Sequence, residues 1–168
     1  WGALVGALTN TIASFISGPI GLPFAVCNVV GALVWGYGVR KFGMGKKFWT
    51  FFVLNILVAV FVSATAVPIY VFLFGGATGH FSDMMPAAFL AMGQNLLVSV
   101  FSSNIIVSLA DKIIAGFVAL AIIEALPANM TTGIELPKSE GLTKILWIVG
   151  GIVVGVAIML FTMYGLGG

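Results

Sequence analysis

The chain has 168 residues, 61% of them hydrophobic and only 7% charged, with a net charge of +2 and a mean hydropathy of +1.20. A soluble domain carries about 25% charged residues, so a soluble fold is excluded, and so small a net charge argues against nucleic acid as a partner. The apolar segments are continuous rather than alternating over about ten residues, which predicts an all-α, polytopic transmembrane helical bundle and not a β-barrel.

About five spans plus one interfacial or broken helix are expected. The first runs from Trp1 to Ser17. No signal-peptide signature precedes Trp1, so the sequence is expected to begin partway through a longer protein. Small residues at Gly2, Gly6, Asn10 and Ser14 share one face, where backbones can approach closely. Thr9, Asn10 and Thr11 are the polar residues of this span that could also reach a cavity.

Ser17-Gly18-Pro19 and Gly21-Leu22-Pro23 read as a turn, and a second span follows over Leu22–Val39 with Asn28 inside it. Next comes Arg40-Lys41-Phe42-Gly43-Met44-Gly45-Lys46-Lys47, which holds four of the seven basic residues. By the positive-inside rule this loop is expected to be cytoplasmic. The third span, Phe48–Phe74, opens with an aromatic cluster suited to a membrane interface, and Pro68 is expected to kink its outer end. The glycine-rich segment Gly75–Asp83 then reads as an external loop presenting His80 and Asp83.

The stretch Met84–Leu126 is too long for one crossing: 43 residues would make a helix of about 65 Å. A helix over Pro86–Phe101, a bend at Ser102-Ser103-Asn104 and a span over Asn104–Ala125 are expected. Asn104, Ser108, Asp111, Lys112 and Ala115 fall on one face of that span, and Gln94 and Asn95 extend its polarity upstream. Charges within hydrocarbon are costly and face protein or a cavity, so Asp111 and Lys112 are the chief functional candidates, read equally as ligand contacts or as a polar clamp between helices. Neighbours on a helix point about 100° apart, so no good direct pair between them is expected. Glu124 is expected near the interface. Residues 127–141 form a polar loop, expected to be cytoplasmic, which would leave the sequon at Asn129-Met130-Thr131 without meaning. A last span over Leu142–Tyr164 carries Gly151 and Gly155 at packing distance.

The lone cysteine, Cys27, excludes an internal disulfide and reads as a packing residue. There is no CxxC, HExxH or GxxxxGK motif, and His80 is the only histidine. An enzyme is therefore not expected, nor is any cofactor or metal.

Taken together, Gly2-Ala3-Leu4-Val5-Gly6-Ala7-Leu8, the Gly/Pro turn, the Phe24–Gly38 helix with Gly31 and Gly36, the basic loop, the Gly75–Asp83 loop, and Asn104–Pro127 with Asp111-Lys112 before an apolar run ending in Leu-Pro resemble the later helices of S components of energy-coupling factor (ECF) transporters. The resemblance covers residues 1–126, with 127–141 as a polar loop and 142–168 as an additional C-terminal helix. It implies a membrane subunit that captures a vitamin-like small molecule from outside and passes it inward by toppling, driven by a transmembrane coupling subunit and two cytoplasmic ATPases. It also implies a prokaryotic cytoplasmic membrane. The family's site lies near the outer face, which here corresponds to Thr9, Asn10, Asn28, His80, Asp83, Gln94, Asn95 and Asn104, with Asp111 and Lys112 deeper. The family's first two helices have no counterpart in this sequence, and the last helix has none in the family. The alternative is a structural or assembly subunit among other subunits of a membrane complex; a receptor's sensing region would need an output domain.

Overall fold

The computed structural model describes residues 1–79, 83–127, 129–131, 133, 135, 137 and 141–165. The chain is an all-α helical bundle. Its helices are α1 (Gly2–Ser17), α2 (Ala25–Arg40), α3 (Phe48–Pro68), α4 (Met84–Ala91), α5 (Leu96–Ala125) and α6 (Leu142–Gly165). Three of them, α3 with the turn that follows it, α5 and α6, are long and apolar enough to cross a membrane, and they make this an integral membrane protein. Apolar side chains cover much of the outer surface, among them Leu142, Ile145, Leu146, Val149 and Val153 along α6. Such a surface is stable only against hydrocarbon.

α1 and α2 have 16 residues each, about 24 Å of helix against a hydrocarbon core of about 30 Å. Their bounds lie close to the expected 1–17 and 22–39, on either side of the expected turn. Gly18 at φ 101° ends α1, and a 3-10 turn over Pro19–Gly21 follows. α3 ends at Pro68, which lacks an N–H, and the next turn, Ile69–Leu73, widens into a π-helix. That irregularity replaces the simple kink expected at this proline.

The break in the long fourth stretch lies elsewhere than Ser102–Asn104. α4 is only eight residues, and α5 runs unbroken for 30 residues through that position. The interruption falls at Met92–Asn95. Gly93 takes a left-handed φ of 85°, and Asn95 Oδ1 accepts from Val98 N at 2.9 Å as the N-cap of α5. The polar run does not bend the helix because its side chains bond back to the turn before. Ser99 Oγ donates to Asn95 O, and Ser103 Oγ and Asn104 Nδ2 both donate to Val100 O.

The helices form an open arc in the order α1, α2, α3, α5, α6, with α4 against α5. Its centre is the α3–α5 seam, where Phe51, Leu54, Val58, Ile113, Phe117 and Leu120 are buried together. Phe51 and Phe117 meet edge-on at 5.7 Å, the arrangement the ring quadrupoles favour. Glycines bring the neighbouring helices in: Gly38 of α2 lies against Leu54, Gly151 of α6 against Phe117, and Gly155 against Ile114. Without a hydrophobic drive between helices in lipid, such close packing supplies the association energy.

Two connections share one end of the bundle: the basic loop between α2 and α3, and the segment between α5 and α6. They are joined by an ion pair between Lys46 and Glu135. Glu124, expected at an interface, pairs at 2.7 Å with Lys144, linking the end of α5 to the start of α6. The opposite end carries the 18–24 turn, the 74–79 loop and α4.

Candidate functional site

A cavity of about 640 Å³ opens at the end away from the basic loop. Its walls come from the C-terminal half of α1, the 18–24 turn, Tyr70, the loop at Thr78 and Gly79, the start of α4, and Ser103, Asn104 and Val107 of α5. Each wall has a local reason for its place.

The α1–α2 wall is set by two asparagines. Asn10 Nδ2 donates to Gly21 O at 2.8 Å, and Asn28 Nδ2 donates to Asn10 Oδ1 at 3.0 Å and to Gly6 O at 3.3 Å. Gly6 permits this approach: a Cβ there would sit 3.0 Å from Asn28 O. Ser14 is buried, with its hydroxyl spent on Asn10 O at 2.8 Å. Asn10 therefore lines the cavity with its oxygen and one N–H already engaged.

The loop wall is set by Asp83. Its carboxylate accepts from Thr78 N and Gly79 N, both at 2.7 Å, from Tyr70 Oη at 3.0 Å and from Thr78 Oγ1 at 3.1 Å. Desolvation by burial pushes its pKa up, but these four bonds outweigh that and hold the carboxyl below its ordinary value. Asp83 thus fixes the lining rather than lining the cavity itself. Phe24 tilts against Tyr70 at 5.5 Å and stacks on Phe74 at 5.8 Å, giving one aromatic side.

The α5 wall carries Asn104. Its Nδ2 uses one hydrogen on Val100 O at 3.0 Å, and its Oδ1 accepts from no other described residue. Of the two lining asparagines, Asn10 keeps one N–H beyond its described bonds, whereas Asn104 keeps one N–H and its Oδ1.

The sequence-derived candidates separate accordingly. Asn10 and Asn104 line the cavity, while Asn28 and Asp83 support it from behind. Gln94 is exposed beyond Gly93, and Asn95 is spent as a helix cap. Thr9 is exposed and bonded to Val5 O. His80 lies outside the described residues. Tyr70, Thr78 and Phe24 were not picked out from sequence. The signal for them was weak: Tyr70 sits in an otherwise apolar turn, and Thr78 gains its place only through Asp83, five residues on.

Asp111 and Lys112 do not line this cavity. Asp111 lies two turns along α5 from Asn104 on nearly the same face, about 10 Å closer to the basic end. Contrary to expectation, the two are paired: Lys112 Nζ donates to Asp111 Oδ2. The long lysine stem folds back over the 100° between the two positions. The Lys112 side chain is 16% exposed and that of Asp111 58%.

Deeper still, Asn55 is fully buried in the α3–α5 seam, with its Oδ1 accepting from Trp35 Nε1 at 2.8 Å. Its Nδ2 has no partner among the described residues. No three His, Cys, Asp or Glu side chains among the described residues come together as a metal site.

No family model, curated protein or solved structure matches the chain.

Proposed function

We propose that the chain is the substrate-binding integral membrane subunit of a transporter, capturing a small vitamin-like molecule for uptake. The observation that supports this is the cavity at the end opposite the basic loop. Its volume, about 640 Å³, lies within the roughly 300–1,000 Å³ of small-molecule sites. Its lining pairs an aromatic side, Phe24 and Tyr70, with hydrogen-bonding groups led by Asn104. With the basic loop on the cytoplasmic side, the cavity opens outward, as capture from outside requires. The chain carries no nucleotide-binding motif, so energy comes from partners: a transmembrane coupling subunit and cytoplasmic ATPases, as the resemblance to S components implies. The setting would be a prokaryotic cytoplasmic membrane. On this reading the protein is not itself an enzyme.

The alternative is a structural subunit of a larger membrane complex. Its best sequence support, stripes of small residues free to pack on other chains, is weakened by where those residues go. Gly151 and Gly155 are covered by α5, and Gly6 by Asn28.

The test is mass spectrometry of what the protein retains after purification, both small molecules and proteins. A small molecule retained by the native protein and lost about 3- to 10-fold in Asn104→Ala, the worth of one neutral hydrogen bond, supports binding. Asp111→Asn, off the cavity, should change retention less than twofold. A preparation that holds no small molecule and brings down membrane proteins without ATPases would favour the structural role.

A further inference from the structure

A second cavity, of about 390 Å³, lies between α2 and α5 with α3 as its floor, at the basic end of the bundle. Trp35 and Val39 of α2, Phe51 of α3, and Ala119, Leu120 and Ile123 of α5 line it. The lining is apolar, since the indole N–H of Trp35 is already given to Asn55. Water gains nothing in such a space, and a hydrocarbon chain fits it. Along α5 the cavity extends from Ala115 to Ile123, about 12 Å of helix, close to the half-thickness of a hydrocarbon core of about 30 Å.

The rim supplies the second half of the argument. Val39, just before the basic loop, and Gly45, within it, both line the cavity. Val39 is followed directly by Arg40 and Lys41, and Gly45 by Lys46 and Lys47. Lys46 is engaged with Glu135. Arg40, Lys41 and Lys47 are exposed and have no ion-pair partner among the described residues. The apolar slot is thus about one leaflet deep, and its lining adjoins in sequence three exposed cations with no ion-pair partner among the described residues. Clusters of this kind beside membrane helices attract anionic headgroups.

We propose that this cavity is a binding site for one anionic phospholipid of the leaflet on the basic-loop side, with an acyl chain in the slot and its phosphate against Arg40, Lys41 and Lys47. The site is separate from the outward cavity and does not depend on what that cavity holds.

Trp35 reports on the slot directly. A variant keeping Trp35 alone (Trp1→Phe, Trp49→Phe, Trp147→Phe) is reconstituted in phosphatidylcholine vesicles. Either dibrominated phosphatidylglycerol or dibrominated phosphatidylcholine is then titrated in. Half-maximal quenching is expected at an at least threefold lower mole fraction of the phosphatidylglycerol. Replacing Arg40, Lys41 and Lys47 by glutamine should bring that ratio close to one, and Ala119→Phe should reduce quenching by both lipids. Equal midpoints for the two headgroups, or a ratio unchanged in the triple glutamine variant, would overturn the proposal. Native mass spectrometry of the unmutated protein with equal phosphatidylglycerol and phosphatidylcholine gives the same decision without variants. One preferentially retained phosphatidylglycerol is expected, and equal retention refutes the site.

Discussion

Replacing Gly116 by alanine puts a methyl carbon 2.6 Å from Cγ of Asn55 and closer still to its Oδ1 and Nδ2. The contact has nowhere to relax cheaply. Asn55 is fully buried, and its Oδ1 is held by Trp35 Nε1 at 2.8 Å. If α5 moves off α3, the overpacked seam costs about 1–3 kcal/mol. If Asn55 swings instead, the Trp35 bond is lost and buried polar groups go unpaired, also at about 1–3 kcal/mol. Removing glycine from a helix interior returns about 0.5–1 kcal/mol, so a net loss of about 1–2 kcal/mol is expected. Equilibrium unfolding in mixed dodecyl sulfate and dodecyl maltoside micelles, followed by tryptophan fluorescence, measures it. Gly150→Ala is the control, because a Cβ there meets no atom within 4 Å. The double variant Gly116→Ala/Asn55→Ala should be more stable than the sum of its parts by about 1 kcal/mol or more. Equal stability of Gly116→Ala and Gly150→Ala would refute the claim that Asn55 is clamped in the seam.

The Asp83 carboxyl, held below the ordinary aspartate value of about 3.9, stabilises its contacts with Tyr70, Thr78 and Gly79 fully above that value. The stabilisation is lost as pH falls through the lower folded-state value. Amide resonances of Thr78 and Gly79 should titrate with a midpoint below about 3.9, and a midpoint at or above it contradicts the four-bond network. Glu124→Gln should cost about 1–3 kcal/mol, between the values for exposed and for buried ion pairs, since the Glu124 side chain is 9% exposed and Lys144 35%. The exchange Glu124→Lys/Lys144→Glu should recover much of it in the same unfolding assay, and no recovery would mean the pair contributes nothing specific.

The helices were legible because apolar run length and glycine or proline punctuation fix where a membrane helix can lie. α3 and α6 begin at the residues expected, Phe48 and Leu142. The break before α5 differs from the expected bend because serines and asparagines need not interrupt a helix. In a helix they satisfy themselves on the preceding turn, as Ser103 and Asn104 do on Val100 O. The readable signal was Gly93 followed by Asn95, a stop and a cap. The candidate site was legible only in part. Asn10 and Asn104 carry their polarity on the right helix faces, but the lining roles of Tyr70 and Thr78 depend on hydrogen bonds to Asp83, which helical periodicity does not encode. Asp111 and Lys112 stand out in the sequence as charges within an apolar span, yet they satisfy each other along one helix.

The arc also bears on how the protein is made. In its principal contacts each long helix packs on the long helix synthesised just before it: α2 on α1, α3 on α2, α5 on α3, α6 on α5. A chain delivered to the membrane from its N-terminus can therefore bury each new helix on arrival, and none must wait for a distant partner still to be translated. Nearest-neighbour assembly of this sort keeps contacts local in sequence, which favours rapid folding. It also makes the 40–48 connection a natural place to divide the chain. A fragment ending there carries the complete α1–α2 pair, and the remainder presents α3 as the surface on which that pair re-docks.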